Sequence, residues 1–473
     1  MRMTDSQMWA RFAAGDPAYN GAFFVGVRTT GIYCLPSCHA RKPHRANVRF
    51  FPTAEAARSA GFRSCRKCHP DDFARGADPV LEAVEHLVGE IRAEPARFRD
   101  ARAVVRRSGF GATRLFELFR QHYHATPADV LLRARLTAAR ARLLGSEAGV
   151  AEIAAESGFD ALSTFHEQFK LHHGLTPAAY RGLRGSRRFA LSLPAGYPLP
   201  YLRRALGRDA QSVSERLDGD LYRCGVRLEN GAAQLTLRLA PGRIEAEGTQ
   251  GEGPELHRIA LGLTGLDQDA GGLARLARRA GLARLVAGRP GLTLSQVPAP
   301  FDGLAWAIIG QQITLSFACT LRRRLIEKTG TPVGEGLHAP PAPQAVAALE
   351  PADLRPLQFS QRKAEYLIAA ARKVADGSLD FAALRQMSAT RAERTLLAVR
   401  GLGPWSVNYL MMRALGFADC VPLGDTGLTS GLQALFALEQ RPDSDATRKL
   451  MTVFSPHRSL ATAHLWQFNR PLP

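Results

Sequence analysis

Four cysteines that lie within 35 residues constrain the start of this chain more than any other feature. They form two close pairs, C-x3-C at Cys34 and Cys38 and C-x2-C at Cys65 and Cys68, separated by 26 residues. Each pair can share one turn, and two pairs complete the tetrahedron of thiolates that Zn²⁺ prefers. The spacing predicts one zinc ion bound by all four, and by itself it favours a structural site that holds a small domain together.

The remaining cysteines, Cys224, Cys319 and Cys420, stand alone in apolar surroundings, which is typical of core thiols and not of a secreted disulfide framework. The first residues, MRMTDSQMWA, lack the apolar stretch of a signal peptide, and no run of 18 or more apolar residues follows. We therefore expect a soluble cytoplasmic protein with no membrane partner.

The charge of the chain points to a polyanionic partner. Its 62 Lys and Arg outnumber 43 Asp and Glu, which gives a formal net charge of +19. Neutralising phosphates releases condensed counterions and drives binding to nucleic acid. An excess of Arg can also reflect genome composition, so charge alone does not decide between the two interpretations.

The length of the chain and the changes of sequence pattern along it predict several domains, since 473 residues exceed what one hydrophobic core holds. We predict a multidomain, mainly α protein with α+β parts. Residues 1–78 hold the cysteines, and residues 80–184 show helical periodicity with a doubled pattern inside 97–180. Residues 187–295 mix strand-like alternation (QLTLRLAPGRIEAEG) with shorter helices, which predicts an antiparallel sheet. Residues 297–471 are helical, interrupted by a Pro-rich loop at 338–344.

The residues around the cysteines, RTTGIYCLPSCHARKPHRANVRFF and AGFRSCRKCHPD, closely resemble the zinc domain of the Ada family, regulators of the adaptive response to DNA methylation. The resemblance spans about 70 residues. It implies that Cys34 accepts a methyl group from a methylphosphotriester of DNA, once per molecule. It also implies that Thr30, Arg41 and Arg63 contact the DNA backbone.

This chemistry is physically reasonable, because zinc keeps a thiol deprotonated and the thiolate is the nucleophile. Four thiolates around Zn²⁺ carry a net negative charge that repels phosphates. Methylating one sulfur removes one negative charge. We expect this loss of repulsion to raise the affinity for DNA and to act as a switch.

The stretch VAEIAAESGFDALSTFHEQFKLHHGLTPAAYR resembles the second helix-turn-helix of the AraC family. Ser163 and Thr164 fall on the helix that would enter the major groove, while Phe165 and Phe169 would anchor it to the core. An earlier copy, ARAVVRRSGFGATRLFELFRQHYHATPADV, resembles the first helix-turn-helix, with Thr113 and Arg114 exposed on its reading helix. A plain helical bundle is the alternative.

A third pattern, LLAVRGLGPWSVNYLMMRALGF, predicts two helices joined by a tight hairpin through Gly401 and Gly403. Such glycines let backbone amides approach a phosphate closely. Asp425 in VPLGDTGL follows Gly401 by 24 residues. Together these features resemble the helix-hairpin-helix glycosylases, in particular the family of 3-methyladenine DNA glycosylase II (AlkA), from about Leu191 to Phe468. The resemblance implies that Asp425 is catalytic; the alternative is a helix N-cap.

The resemblance also assigns Trp405, Tyr409 and Trp466 to a base pocket, although lone aromatic residues more often belong to a core. Gln312 stands where the family has an apolar residue that wedges into the DNA. The second hairpin helix carries no lysine of the kind that forms a Schiff base in a related branch. We therefore expect a monofunctional glycosylase that leaves abasic sites.

These patterns favour a bifunctional fusion that senses methylphosphotriesters, activates transcription and excises alkylated purines. We expect it to bind double-stranded DNA at methylated backbones, promoter sites and alkylated bases, to contact RNA polymerase, and to associate with the bacterial nucleoid. One alternative is a transcription regulator whose glycosylase-like half only binds DNA, and another is a repair enzyme whose first half only localises it. No cysteine has the Pro-Cys-His-Arg context of the methyltransferase domain that ends typical Ada proteins.

Overall fold

A computed structural model describes residues 3–16, 19–76 and 78–470 of the chain. The chain divides into two units, Met1–Gly89 and Glu90–Pro473. The predicted fold class, multidomain and mainly helical with α+β parts, is confirmed. Residue 471, the predicted end of the last domain, lies outside the described residues.

The first unit contains a small sheet and short helices: α1 (Asp5–Ala14), β1 (Phe24–Val27), β2 (Ile32–Cys34), β3 (Val48–Phe51), α2 (Ala54–Ser59), β4 (Arg63–Ser64) and α3 (Pro70–Ala74). The strand order is β3-β1-β2-β4. β1 pairs antiparallel with β2 and β3, whereas β4 runs parallel to β2. This parallel pair brings the two cysteine segments together.

Helices fill the next region: α4 (Pro79–Ala93), α5 (Ala101–Ser108), α6 (Ala112–Tyr123), α7 (Pro127–Gly145), α8 (Val150–Glu156), α9 (Leu162–His173) and α10 (Pro177–Arg181). Thr126 begins α7 with a capping box, followed by Pro127 in the first turn. The pairs α5–α6 and α8–α9 form the doubled pattern that the sequence predicts. Phe165 and Phe169 are fully buried, as their spacing predicts.

The predicted antiparallel sheet follows, with its own helices: β5 (Arg188–Ser192), α11 (Leu199–Leu206), β6 (Glu215–Asp218), β7 (Leu221–Leu228), β8 (Gly231–Ala240), β9 (Arg243–Gly248), α12 (Gly253–Thr264) and α13 (Ala270–Arg279). Its strand order is β5-β9-β8-β7-β6. In β9, exposed Arg243 and Glu245 alternate with buried Ile244 and Ala246, which is the period of two that a half-buried strand requires.

The last region is helical except for one short β-hairpin: α14 (Pro300–Ile309), α15 (Leu315–Thr329), β10 (Thr331–Gly334), β11 (Leu337–Ala339), α16 (Pro343–Ala347), α17 (Pro351–Leu354), α18 (Gln361–Ala375), α19 (Phe381–Gln386), α20 (Ala389–Leu397), α21 (Pro404–Arg413), α22 (Thr426–Phe436), α23 (Ser444–Met451) and α24 (Arg458–Phe468). The sequence does not predict the β10–β11 hairpin. The reason is tertiary: His338 N donates to Val213 O over 2.8 Å, and Arg227 Nη2 donates to Pro340 O over 2.7 Å.

Hydrophobic packing crosses the predicted domain boundaries of the second unit. Phe165 and Phe169 of α9 share one core with Leu235 and Leu237 of β8, so the second helix pair packs with the sheet. The helices from α14 to α24 form a separate core, to which Leu273, Ala274 and Ala277 of α13 also contribute. None of the helices in the described residues combines the length and apolar character that a bilayer crossing requires.

The three isolated cysteines belong to the hydrophobic cores or pack against them. Cys224 and Cys420 are buried, with 1% and 2% of their surface exposed. Cys319 is half-buried and packs against the edge of the core. It lies on α15, whose first turns reach the surface at Leu315 and Phe317.

Candidate functional site

The four clustered cysteines meet where β2 and β4 end. Cys34 ends β2, Cys65 follows β4 directly, and the parallel pairing of these strands places the two side by side. All four sulfur atoms lie within 4.8 Å of one another, and the sulfurs of Cys38 and Cys65 are 4.0 Å apart. Tetrahedral zinc, with Zn–S bonds of about 2.3 Å, would hold its sulfurs about 3.8 Å apart. The cluster fits one Zn²⁺, and the predicted metal site is confirmed.

Backbone amides donate to two sulfurs of the cluster, and a metal ion binds cysteine in its thiolate form. Leu35 N donates to Cys68 Sγ over 3.3 Å, and Lys67 N donates to Cys65 Sγ over 3.4 Å. A hydrogen bond with Cys34 lowers the pKa of Cys38 to about 7 and also lowers the pKa of Cys65, whereas the hydrogen bond with Cys38 raises the pKa of Cys34. Cys34, Cys38 and Cys65 are buried, whereas Cys68 is more exposed.

The residues predicted to contact the DNA backbone beside this cluster, Thr30, Arg41 and Arg63, are exposed. Thr30 lies between β1 and β2, and Arg63 lies opposite Ile32 on the strand beside β2. Arg41 follows Cys38 by three residues. All three are therefore on segments that carry or flank the cysteines, and their contact with DNA stays a prediction.

Each helix pair of the second unit presents polar side chains at the start of its second helix. Thr113 in α6 and both Ser163 and Thr164 in α9 are exposed. Arg114 is partly exposed and bonds Glu117 Oε2 over 3.3 Å. These positions suit a reading helix that enters the major groove with its first turns.

The segment between α20 and α21 forms a tight hairpin in which the two glycines differ. Gly401 has φ +93°, and a Cβ there would lie 2.5 Å from the Tyr366 ring, so the fold itself requires glycine. Gly403 caps α21 with φ −102°, and a Cβ there would meet no protein atom within 4 Å. The missing side chain at Gly403 therefore leaves space for a group outside the protein, such as a phosphate at a helix N-terminus.

Asp425 begins α22, and its carboxylate accepts three hydrogen bonds. Leu428 N donates to Oδ1 over 2.8 Å, which makes Asp425 the N-cap of α22. Trp466 Nε1 donates to Oδ1 over 2.8 Å, and Trp405 Nε1 lies 3.3 Å from Oδ2. The N-cap that the sequence leaves as an alternative is present. It also aims a partly exposed carboxylate at the aromatic residues.

The three aromatic residues predicted for a base pocket lie together beside Asp425. Trp405 and Tyr409 stack with ring centroids 5.3 Å apart and planes at 24°. Tyr409 and Trp466 follow at 6.2 Å. Trp405 and Trp466 are partly exposed, whereas 7% of Tyr409 is exposed. The structure thus brings together residues that stand up to 61 positions apart in the chain.

The loop between α14 and α15 is tied to the hairpin by a residue that the sequence does not single out. Gln311 Nε2 donates to Gly401 O over 2.8 Å and to Ser406 Oγ over 3.0 Å. The next residue, Gln312, is exposed and has φ +55°. The paired glutamines were visible in the sequence, but no local pattern indicates a partner 90 residues away.

Three families match successive parts of the chain. Residues 7–71 match the metal binding domain of Ada, residues 104–182 match a helix-turn-helix domain, and residues 305–456 match the HhH-GPD superfamily of base excision DNA repair proteins. The order is the one that the sequence motifs predict.

Among similar curated proteins is the "Probable bifunctional transcriptional activator/DNA repair enzyme AlkA" of Mycobacterium tuberculosis, 29% identical over 95% of this chain and 94% of that protein. The "Bifunctional transcriptional activator/DNA repair enzyme Ada" of Escherichia coli is 39% identical over 24% of this chain and 32% of its own length. Among solved structures, a 3-methyladenine DNA glycosylase from Archaeoglobus fulgidus superimposes with a TM-score of 0.54 at 20% identity, covering 60% of this chain and 98% of that one. This last likeness shows a shared fold.

Proposed function

We propose that this chain, whose successive regions belong to the Ada metal-binding, helix-turn-helix and HhH-GPD families, is a bifunctional protein of the response to DNA alkylation. Its second unit removes alkylated purines from DNA by hydrolysing the N-glycosidic bond. Its zinc domain accepts methyl groups from methylphosphotriesters and switches on transcription. The observation that carries the proposal is the Asp425 carboxylate, held by Trp405 and Trp466 next to the hairpin.

The aromatic cluster suits an alkylated base that has left the stack. Extruding a base costs a few kcal/mol, and stacking on an aromatic face offsets about 1–3 kcal/mol of it. Trp405 and Trp466 each present a partly exposed indole. An alkylated purine is often cationic, so these faces also attract it through cation–π interaction. Such a base is already a good leaving group, so the protein needs to lower the barrier to cleavage of the N-glycosidic bond by less than for a normal base.

Asp425 supplies the charge that this reaction needs. As the base leaves, the sugar becomes oxocarbenium-like, and a fixed carboxylate stabilises its positive charge. The same carboxylate orients water toward C1′. Because Leu428 N, Trp405 and Trp466 hold the carboxylate in place, little reorganisation accompanies the reaction.

The hairpin and the loop that carries Gln312 bind the DNA. The backbone at Gly403 is open toward solvent at the start of α21, where amides can hold a phosphate. Gln312 projects from the neighbouring loop and can fill the gap left by the extruded base through hydrogen bonds. Gln311 keeps that loop in register with the hairpin.

The glycosylase is monofunctional in this proposal, because α21 (PWSVNYLMMR) carries no lysine. Lys363, on α18, donates its Nζ proton to Ile309 O over 2.6 Å and is engaged there. Borohydride should therefore trap no covalent complex with abasic or alkylated DNA. A trapped complex that disappears in Lys363→Gln would contradict the monofunctional assignment and name the amine.

The deciding experiment measures base release from methylated DNA by the wild type and by Asp425→Asn. Asparagine caps helices about as well as aspartate, so the variant should fold while losing the carboxylate. We expect release by the wild type and a loss of at least about 100-fold in the variant, the scale of a lost electrostatic contribution. If both folded proteins released no base, the chain would be a regulator whose glycosylase-like half only binds DNA.

In the zinc domain, we propose that Cys34 is the methyl acceptor. Bound zinc keeps the cysteine sulfurs in the thiolate form. The Cys34 sulfur attacks the methyl carbon; the S–CH₃ bond forms, the O–CH₃ bond breaks, and the phosphotriester leaves as a diester anion. Exposed Thr30, Arg41 and Arg63 hold the DNA backbone at the cluster. The reaction is stoichiometric, since nothing demethylates the thioether.

Methylation of Cys34 removes one negative charge from the cluster and raises DNA affinity, and α6 and α9 then read promoter bases and recruit RNA polymerase. Peptide mapping after reaction with methylphosphotriester DNA should place one methyl group on Cys34. A methyl group on Cys68, the more exposed sulfur, would reject that assignment. If methylated and unmethylated protein bound DNA equally across a salt series, the charge switch would be rejected. A repair enzyme whose first half only localises it would then be favoured.

A further inference from the structure

The loop that delivers Asp425 is fastened at consecutive backbone amides by side chains from distant parts of the chain. Ser459 Oγ accepts from Cys420 N over 3.0 Å and donates to Phe417 O over 2.8 Å. Asn408 Oδ1 accepts from Val421 N over 3.1 Å. These contacts come from α24 and α21, within the glycosylase-like region itself.

The amide of Asp419 in this loop has a partner from outside that region. It donates to His124 Nδ1 over 3.2 Å, and the His124 ring stands edge-on to Phe417 with centroids 5.9 Å apart. His124 follows α6, the reading helix of the first helix-turn-helix, as its C-cap with φ +55°. A side chain of the transcription-factor region therefore completes the hydrogen bonding of the loop that carries Asp425.

A second contact reaches the helix that leads into the hairpin. His122 Nδ1 lies 2.8 Å from Thr390 Oγ1, in the first turn of α20, and 5% of His122 is exposed. Thr390 lies on α20, eleven residues before Gly401. The end of α6 thus touches both elements that frame the candidate site, α20 and the Asp425 loop.

The chemistry of His124 agrees with this role. Burial lowers the pKa of His124 to about 4, so its ring is neutral near pH 7. A neutral imidazole with its proton on Nε2 offers Nδ1 as an acceptor, which is what the Asp419 amide requires. The residues placed to read DNA, Thr113 and Arg114, lie in the first turn of α6, at the other end of the helix from His124.

We propose that His124 and His122 are positioning residues of the glycosylase, so that the first helix-turn-helix is a structural part of the base-excision site as well as a DNA reader. The inference rests on the proposed glycosylase activity. It goes beyond that activity, because it assigns a role in base excision to residues outside the glycosylase-like region. Removing the Nδ1 acceptor leaves the Asp419 amide without its partner and loosens the approach of Asp425 to the sugar.

The test compares two substitutions at His124 in the full chain. His124→Gly tolerates the left-handed φ but has no acceptor, whereas His124→Asn tolerates that φ and offers Oδ1 in place of Nδ1. We expect His124→Gly to lower kcat for base release about tenfold with KM unchanged, and His124→Asn to retain kcat within about twofold. Arg142→Ala, which removes an exposed ion pair with Glu156, is the control and should leave kcat unchanged.

Hydrogen exchange of the segment 417–425 supplies a readout that does not need activity. Exchange should accelerate in His124→Gly and stay protected in His124→Asn and Arg142→Ala. A folded His124→Gly with wild-type kcat and protection would overturn the proposal, as would an Asn variant as slow as the Gly variant. If the wild type released no base, the proposed glycosylase activity would fail. The exchange data would then decide alone whether α6 supports the loop.

Discussion

The two indoles that hold Asp425 should contribute unequally to catalysis, and matched Trp→Phe substitutions measure the difference. Trp466 Nε1 donates to the carboxylate over 2.8 Å, inside the usual range for N–H···O hydrogen bonds. Trp405 Nε1 lies 3.3 Å from the other oxygen, just beyond that range. Phenylalanine keeps a smaller aromatic face in each position and removes the N–H donor.

The magnitude follows from the charge of the acceptor. A hydrogen bond to an ionised group contributes about 1.5–3 kcal/mol, so Trp466→Phe should lower kcat by roughly 10- to 150-fold if the bond holds Asp425 in its reactive position. The longer contact should be worth about 1 kcal/mol or less, so Trp405→Phe should cost no more than about fivefold. Both variants lose some stacking surface, which acts mainly on KM.

The assay is single-turnover release of an alkylated base from a defined duplex, with thermal unfolding as a check on the fold. Trp306→Phe is the matched control, because Trp306 is a core residue of α14 with the Arg208 guanidinium over its ring, whereas the donors to the Asp425 carboxylate are Leu428 N, Trp405 and Trp466. Its kcat should equal that of the wild type. An equal or larger loss of kcat in Trp405→Phe than in Trp466→Phe would refute the geometric reasoning.

Three further outcomes follow from the structure. Gly401→Ala should destabilise the second unit by about 1–3 kcal/mol in urea unfolding, because φ is +93° and the Tyr366 ring is in the way, whereas Gly403→Ala should keep stability and weaken DNA binding. Asp419→Ala should lower the free energy of unfolding of the second unit by about 3–5 kcal/mol. Only 2% of the Asp419 side chain is exposed, and its removal leaves the Arg458 guanidinium without this carboxylate partner. Burial acts to raise the pKa of Asp419, but the hydrogen bonds and charge of Arg458 outweigh it and the pKa is lowered. The stabilisation that Asp419 provides should therefore be present above about pH 4 and be lost as the pH falls through the pKa of Asp419 in the folded protein. Urea unfolding at a series of pH values measures this loss. Cys38→Ser should lower bound zinc from one ion per chain to none by atomic absorption, and circular dichroism should show loss of the small sheet.

Much of the fold was readable from the sequence because its signals are local. The close cysteine pairs predict the metal site, the repeated helical pattern predicts α5–α6 and α8–α9, and alternation in 234–248 predicts the paired strands β8 and β9. Each signal depends on the period of one element or on a turn that a few residues determine. The β10–β11 hairpin escaped this reasoning because its short strands are held by contacts with the larger sheet.

At the candidate site, too, local sequence signals and tertiary contacts each determine part of what a residue does. The sequence by itself determined that Asp425 follows Gly401 of the hairpin by 24 residues, and that it could cap a helix. Only the tertiary structure decided that Trp405 and Trp466, which lie 20 and 41 residues away, would share its carboxylate. It also decided that Gln311 would bridge 90 residues to Gly401, and that His124 would reach 295 residues to Asp419. Sequence periodicity indicates which face of its own helix or strand a residue occupies. Which residue of another element it contacts depends on how the separate elements pack into a shared core.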